Sequence, residues 1–276
     1  MTDLQALFQF PFMVNALEAA SIVAVLAAVC GWYVVLRRQV FAGHTLSVLA
    51  FPGATGAALI GLPISLGYYI ACAAGALTIG ASRPKTAHGY GGETAAIGTV
   101  QAVGLGLGYL FLSLNHAVLT GFETLLFGTF LGVSQHQVVV LGAIALAAVG
   151  LMAMIWRPLL FATLDPDVAR SRGVPVRVLD IAFLLILGLA VAATSQITGV
   201  LLVFALLVAP AAAAQQITMR PLAGLGLSIV FALLVAWLGL GIAYFSIYPV
   251  GFFTTTFAFG LYVVVRLTRW LAMRRR

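Results

Sequence analysis

The sequence predicts an all-α fold: a polytopic membrane bundle of about nine spans, some short or broken, with one small helix at the cytoplasmic face. Three observations point there. Of 276 residues, 63% are hydrophobic and only 8% charged, against roughly a quarter charged in a soluble domain. The apolar residues gather in runs near the ~20 residues that a helix needs to cross a bilayer. The basic residues fall in alternate connections between those runs, the pattern that orients a membrane protein.

The candidate spans are 14–36, 44–61, 64–82, 95–113, 136–156, 178–194, 198–216, 222–244 and 250–268, read as one domain over 1–276. The second, sixth and seventh are short or interrupted. Arg37 and Arg38 follow the first span, Arg83 and Lys85 the third. Arg157, Arg170, Arg172 and Arg177 lie between the fifth and sixth, Arg220 follows the seventh, and Arg266, Arg269 and 274–276 close the chain. The opposite connections, 62–63, 114–120, 195–197 and 245–249, hold no Lys or Arg. This places the N-terminus outside and the C-terminus in the cytoplasm. The net charge of +7 therefore reports topology in a lipid bilayer, and no nucleic-acid partner is expected. The stretch 121–133 is too short to span and reads as an outer-leaflet helix or hairpin. No cleaved signal peptide is expected, because MTDLQALFQF has no basic n-region. Cys30 and Cys72 sit inside apolar runs and read as small buried hydrophobes.

Three segments depart from plain spanning sequence. In the connection 157–177, Asp165 or Asp167 can cap a helix N-terminus beside Pro166. Gly173 can take the left-handed conformation that ends the helix, and Pro175 prevents its continuation. A two-turn helix over 165–173, carrying Arg170 and Arg172, is not needed for spanning; it suits either docking of a cytoplasmic partner or a simple interfacial connector. In 199–220, Pro210 removes a backbone hydrogen bond, alanines follow, and Gln215 and Gln216 approach the inner interface. That pattern fits a tightly packed kinked helix or one lining a path or a dimer contact. In FAGHTLSVLAFPGA, 41–54, His44, Thr45 and Ser47 open the second span, and Pro52 and Gly53 are expected to break it midway, with Thr55 beyond. Broken helices at membrane depth belong where they are buried in protein or line a cavity. His44 could offer an imidazole to a metal ion, or could be structural. His88, His116 and His136 show no metal-ligand spacing, and Glu18, Glu93 and Glu123 stand apart. No G-x4-G-K-[ST] loop occurs, so any ATP must be held by another chain. No nucleophile–base set is visible, so no catalytic residue and no permanently bound cofactor are expected.

Four blocks give the chain a family resemblance. LRRQVFAGHTLSVLAFPGATGA (36–57), ETAAIG (93–98), LLFGTFLGVS (125–134) and LDPDVARSRGVPVRVLD with TGVLLVFALLVAPAAAA (within 164–214) resemble, in order, the motifs of permease subunits of metal-ion ABC importers. That resemblance implies a homodimeric permease in the bacterial cytoplasmic membrane, moving zinc or manganese by alternating access. It implies ATPase subunits docked on 165–173, through Asp165, Asp167, Arg170, Arg172 and Gly173, and an extracytoplasmic solute-binding protein. It also implies a substrate path touching His44, Ser47, Pro52, Gly53 and Thr55, and a path or dimer helix carrying Pro210 and Gln215. The chain departs from the family at two path positions: His44 stands where Asp is common and Val48 where His is common. Thr94 and Ala95 likewise replace Asp and Thr. The family's metal pair therefore does not carry over intact, and His44 alone remains as a candidate metal ligand. The alternatives are the same architecture turned to a metal chelate or other small solute, or an ATP-independent secondary carrier. The carrier would need buried ionisable groups for its coupling ion, which the spans almost lack.

Overall fold

The computed structural model describes residues 11–82, 90–115, 125, 128 and 132–274. Arg83, Lys85, His88, His116, Glu123, the side chain of Glu93, most of 121–133 and the last two arginines lie outside the described residues. The described chain is all helical: α1 (Pro11–Leu36), α2 (Val40–Leu59), α3 (Ile64–Ala81), α4 (Tyr90–Leu114), α5 (Gln135–Leu164), α6 (Pro166–Ser171), α7 (Val176–Thr198), α8 (Val200–Ile217), α9 (Pro221–Tyr244) and α10 (Val250–Arg274).

Within the described residues, 7 helices are long and apolar enough to cross a membrane: α1, α3, α4 from Thr94, α5, α7, α9 and α10. The remaining two expected spans correspond to α2 and α8. Polar residues at 44, 45, 47 and 55 dilute the apolar character of α2, whereas α8 is apolar along most of its 18 residues, Val200–Ile217. The sixth span, expected to be short, is full length as Val176–Thr198.

Helix ends follow local chemistry. Ser134 and Gln137 form a reciprocal capping box at the start of α5, with Gln137 N–H donating to Ser134 Oγ at 3.3 Å and Ser134 N–H to Gln137 Oε1 at 2.9 Å. Pro166 and Pro221 occupy the first helical positions of α6 and α9, where a missing N–H costs nothing. The turn between α1 and α2 is tight. Gln39 N–H donates to Val34 O at 2.8 Å and Arg38 N–H to Val35 O at 3.1 Å, with Arg38 in the left-handed region at φ 57°. That is a Schellman-type end built without glycine.

α1 and α7 form the centre. α1 packs on α5, α7, α8 and α9; α7 packs on α3, α5, α8 and α2. α2, α3 and α4 gather on one side, and α8, α9 and α10 on the other. Small residues set the closest approaches. A Cβ on Gly53 would strike the backbone of Gly67, one on Gly67 would strike Gly53, and one on Gly31 would strike the carbonyl of Leu207. Such contacts supply dispersion where lipid offers no hydrophobic drive between helices. Cys30 and Cys72 are buried and free, at 1% and 0% exposure.

The expected break at Pro52 and Gly53 is absent: α2 stays α-helical from Val40 to Leu59. Proline forfeits one ladder bond, and neighbouring helices offset that loss. Here the missing Cβ of Gly53 lets α3 lie directly against the proline turn.

Candidate functional site

The polar groups of α2 turn mostly onto protein. Ser47, 1% exposed, donates its hydroxyl to the His44 carbonyl at 2.7 Å. Thr55, fully buried, donates to the carbonyl of Phe51 at 3.1 Å and lies 3.3 Å from those of Pro52 and Gly108. Thr45 donates to Gln101 Oε1 at 2.9 Å and so ties α2 to α4. His44 differs. Its ring meets Phe204 of α8 edge-on, centroids 4.9 Å apart, and its buried Nδ1 has no hydrogen-bond partner. A buried nitrogen without a partner costs free energy unless something fills the position. Val48, one turn on, is 7% exposed and offers no donor or acceptor.

Pro52 and Gly53 lie elsewhere. Nine residues separate His44 from Gly53, about two and a half turns, so they point to opposite sides of α2. Pro52 and Gly53 border an apolar groove of about 540 Å³ formed with α3 and α4, and His44, Ser47 and Thr55 take no part in it. A bare divalent ion gains nothing from such a wall. Pro210 lies inside α8, the helix that faces His44. Gln215 donates its amide to the Trp32 carbonyl at 2.7 Å and thereby fastens α8 to α1.

α6 forms the second locus. Asp165, which ends α5, is also the N-cap of α6, accepting Val168 N–H at 3.0 Å. Gly173 adopts φ 79°; its N–H donates to Arg170 O at 3.0 Å and that of Val174 to Ala169 O at 3.0 Å. The double cap read from the sequence is therefore present, with Asp165 rather than Asp167 as the cap. Only Ala169 of α6 is buried; Asp167, Val168 and Arg170 face out, the two charged residues paired at 2.8 Å. A six-residue helix held at both ends and exposed on nearly every side presents a stiff knob.

Sequence reasoning missed two features. Arg37, read only as a topology marker, turns inward and pairs with Asp180 of α7, its side chain 7% exposed. The signal was opposite charges at the borders of apolar runs, but a sequence separation of 143 positions gave no register. At the other end, Gln196 donates to Tyr69 Oη at 2.8 Å on the wall of a polar cavity of about 300 Å³, lined also by Ser65, His136 and Gln137.

Comparison with known proteins resolves the family. The profile of the ABC 3 transport family matches residues 9–269. The chain belongs to the ABC 3 transport family. The resemblance of its four blocks to metal-type ABC permeases is thus borne out. The chain is 31% identical over 245 residues to the manganese transport system membrane protein MntC of Halalkalibacterium halodurans, covering 87% of this chain and 80% of that protein. It is 30% identical over 219 residues to a probable iron transport system membrane protein of Haemophilus influenzae, covering 76% of each. Its fold matches a chain of PsaBC from Streptococcus pneumoniae, solved in complex with Fab, at TM-score 0.83 and 25% identity, over 95% of this chain and 93% of that one. This family membership makes the protein a multi-pass ABC-type permease.

Proposed function

We propose that this permease imports a divalent transition-metal ion, manganese or zinc, across the bacterial cytoplasmic membrane, as a homodimer driven by separate ATPase subunits and fed by an extracytoplasmic solute-binding protein. The observation that carries this reading is the match to a manganese transport membrane protein along 87% of the chain. In this reading α6 is the ATPase-coupling helix, with Asp165, Asp167, Arg170, Arg172 and Gly173 shaping the docking knob. His44 lies on the path, lending Nδ1 to the passing ion. Among the described residues no three His, Cys, Asp or Glu side chains form a metal-holding group. A weak, single-imidazole contact suits release better than storage. The N-terminus lies outside, so α6 and the arginines face the cytoplasm.

Cells expressing the permease with its ATPase should accumulate labelled manganese or zinc, and an ATPase-dead control should not. His44→Ala should reduce uptake at least tenfold while leaving the assembled complex intact. Uptake unchanged in His44→Ala would remove that residue from the path. Absence of both metals despite assembly would redirect the search to another solute.

A further inference from the structure

Arg37 stands where three parts of the molecule meet. It ends α1 and begins the tight turn into α2, the helix that carries His44. Its guanidinium reaches Asp180 on α7 and donates to Thr163 Oγ1 on α5 at 2.9 Å. It also lies over the Phe183 ring, 5.3 Å from the centroid. Thr163 is two residues before the N-cap of α6, and Asp180 is one turn into the helix that follows it. Arg37 therefore holds both stems of the α6 hairpin at once. The planar fork of arginine suits that task, and the single ammonium of lysine does not.

The grip is stiff on both sides. Tyr33 Oη donates to the Trp156 carbonyl at 3.0 Å, and Trp32 stacks on Trp156 at 5.4 Å, so α1 and α5 are locked one turn above the pair. On the other side, Arg38 and Gln39 N–H bond back to Val35 O and Val34 O at the end of α1, and Gly43 N–H donates to Gln39 O at 3.0 Å, so the short turn after Arg37 ties the end of α1 to the first turn of α2. A buried charge bonded this way tends to move with the groups that hold it, because losing a partner in a buried setting is costly.

We infer that Arg37 is a positioning residue that transmits displacement of α6 to α2, through the Asp180–Arg37–Thr163 bridge and the 37–39 turn. This rests on the proposed ATP-driven function. The bridge converts a push on an exposed knob into a shift of the helix bearing His44, a transition of the rigid-element kind.

The test uses the whole complex, permease with its ATPase, in proteoliposomes. It reads manganese transported per ATP hydrolysed. Arg37→Gln and Asp180→Asn should lower that ratio at least tenfold while the ATPase stays bound and hydrolyses ATP. Arg37→Lys, which keeps the ion pair but loses one arm, should give an intermediate ratio, and Thr163→Val should resemble it. Gly106→Ala, in open space, is the control and should leave the ratio unchanged. If Arg37→Gln fails to assemble, Arg37→Lys and Thr163→Val decide alone. A wild-type ratio in the assembled variants overturns the inference, as does a parallel fall of hydrolysis and transport. A wild-type complex that binds its ATPase but moves no metal overturns the parent function instead.

Discussion

Gly53 and Gly67 face each other where α2 crosses α3, and a Cβ on either would meet the other's backbone. Backbone cannot rotate away as a side chain can, so Gly53→Val should destabilise the permease by about 1–3 kcal/mol. Gly106→Ala should be neutral or slightly stabilising, since nothing lies within 4 Å and alanine favours helix. Thermal unfolding in detergent separates the two; equal melting temperatures would contradict the crossing described. Asp180→Ala should also destabilise the permease, because it removes a carboxylate that pairs with the buried guanidinium of Arg37. At this scale the sequence was only partly legible. Small residues flagged close packing but not which helix came close. His44 was visible as a polar residue in an apolar run, but its edge-on contact with Phe204, far along the chain on α8, depends wholly on tertiary packing. Arg37 obeyed the topology rule and concealed a second role.

α6 was legible because caps are local. Asp165, Pro166 and Gly173 specify a start, a first position and a stop within nine residues. Asp165→Ala should remove about 1 kcal/mol of local stability. Gly173→Val should strain a backbone at φ 79°, which a β-branched residue rarely tolerates. In both, amides of 167–171 should exchange faster with solvent, and less ATPase should co-purify. Unchanged exchange in Asp165→Ala would deny the cap its role. α2 was less legible for the opposite reason. Pro52 is a local signal for a break, yet the helix persists, because the α3 contact at Gly53 and the approach of the Thr55 hydroxyl to Gly108 O on α4 are long-range compensation that no local rule contains. The ends of α7 were underestimated for a similar cause: Thr194, Ser195 and Thr198 look polar in sequence but are each about 1% exposed or less, buried inside the bundle.

The whole molecule places its two loci on one mechanical line. α6 lies on α5 and α7, α7 packs on α2, and α2 faces α8 at His44. Membrane class, basic-residue asymmetry and family were all readable from composition and motif order, whereas the number of crossing helices was not, because α2 carries buried polar residues that lower its apolar character. Orientation has a direct check. Arg172→Cys and Ile247→Cys, both at exposed positions, should react with an impermeant thiol reagent from opposite sides, the first only from the cytoplasm. Buried Cys30 and Cys72 should stay silent. The central claim, that this chain carries metal under the power of a separate ATPase, is tested most directly by manganese flux into proteoliposomes holding the purified complex, with and without ATP on the cytoplasmic face. Flux that requires ATP and a catalytically intact ATPase is the predicted result. Flux of equal size without ATP, or none with it, would contradict the account.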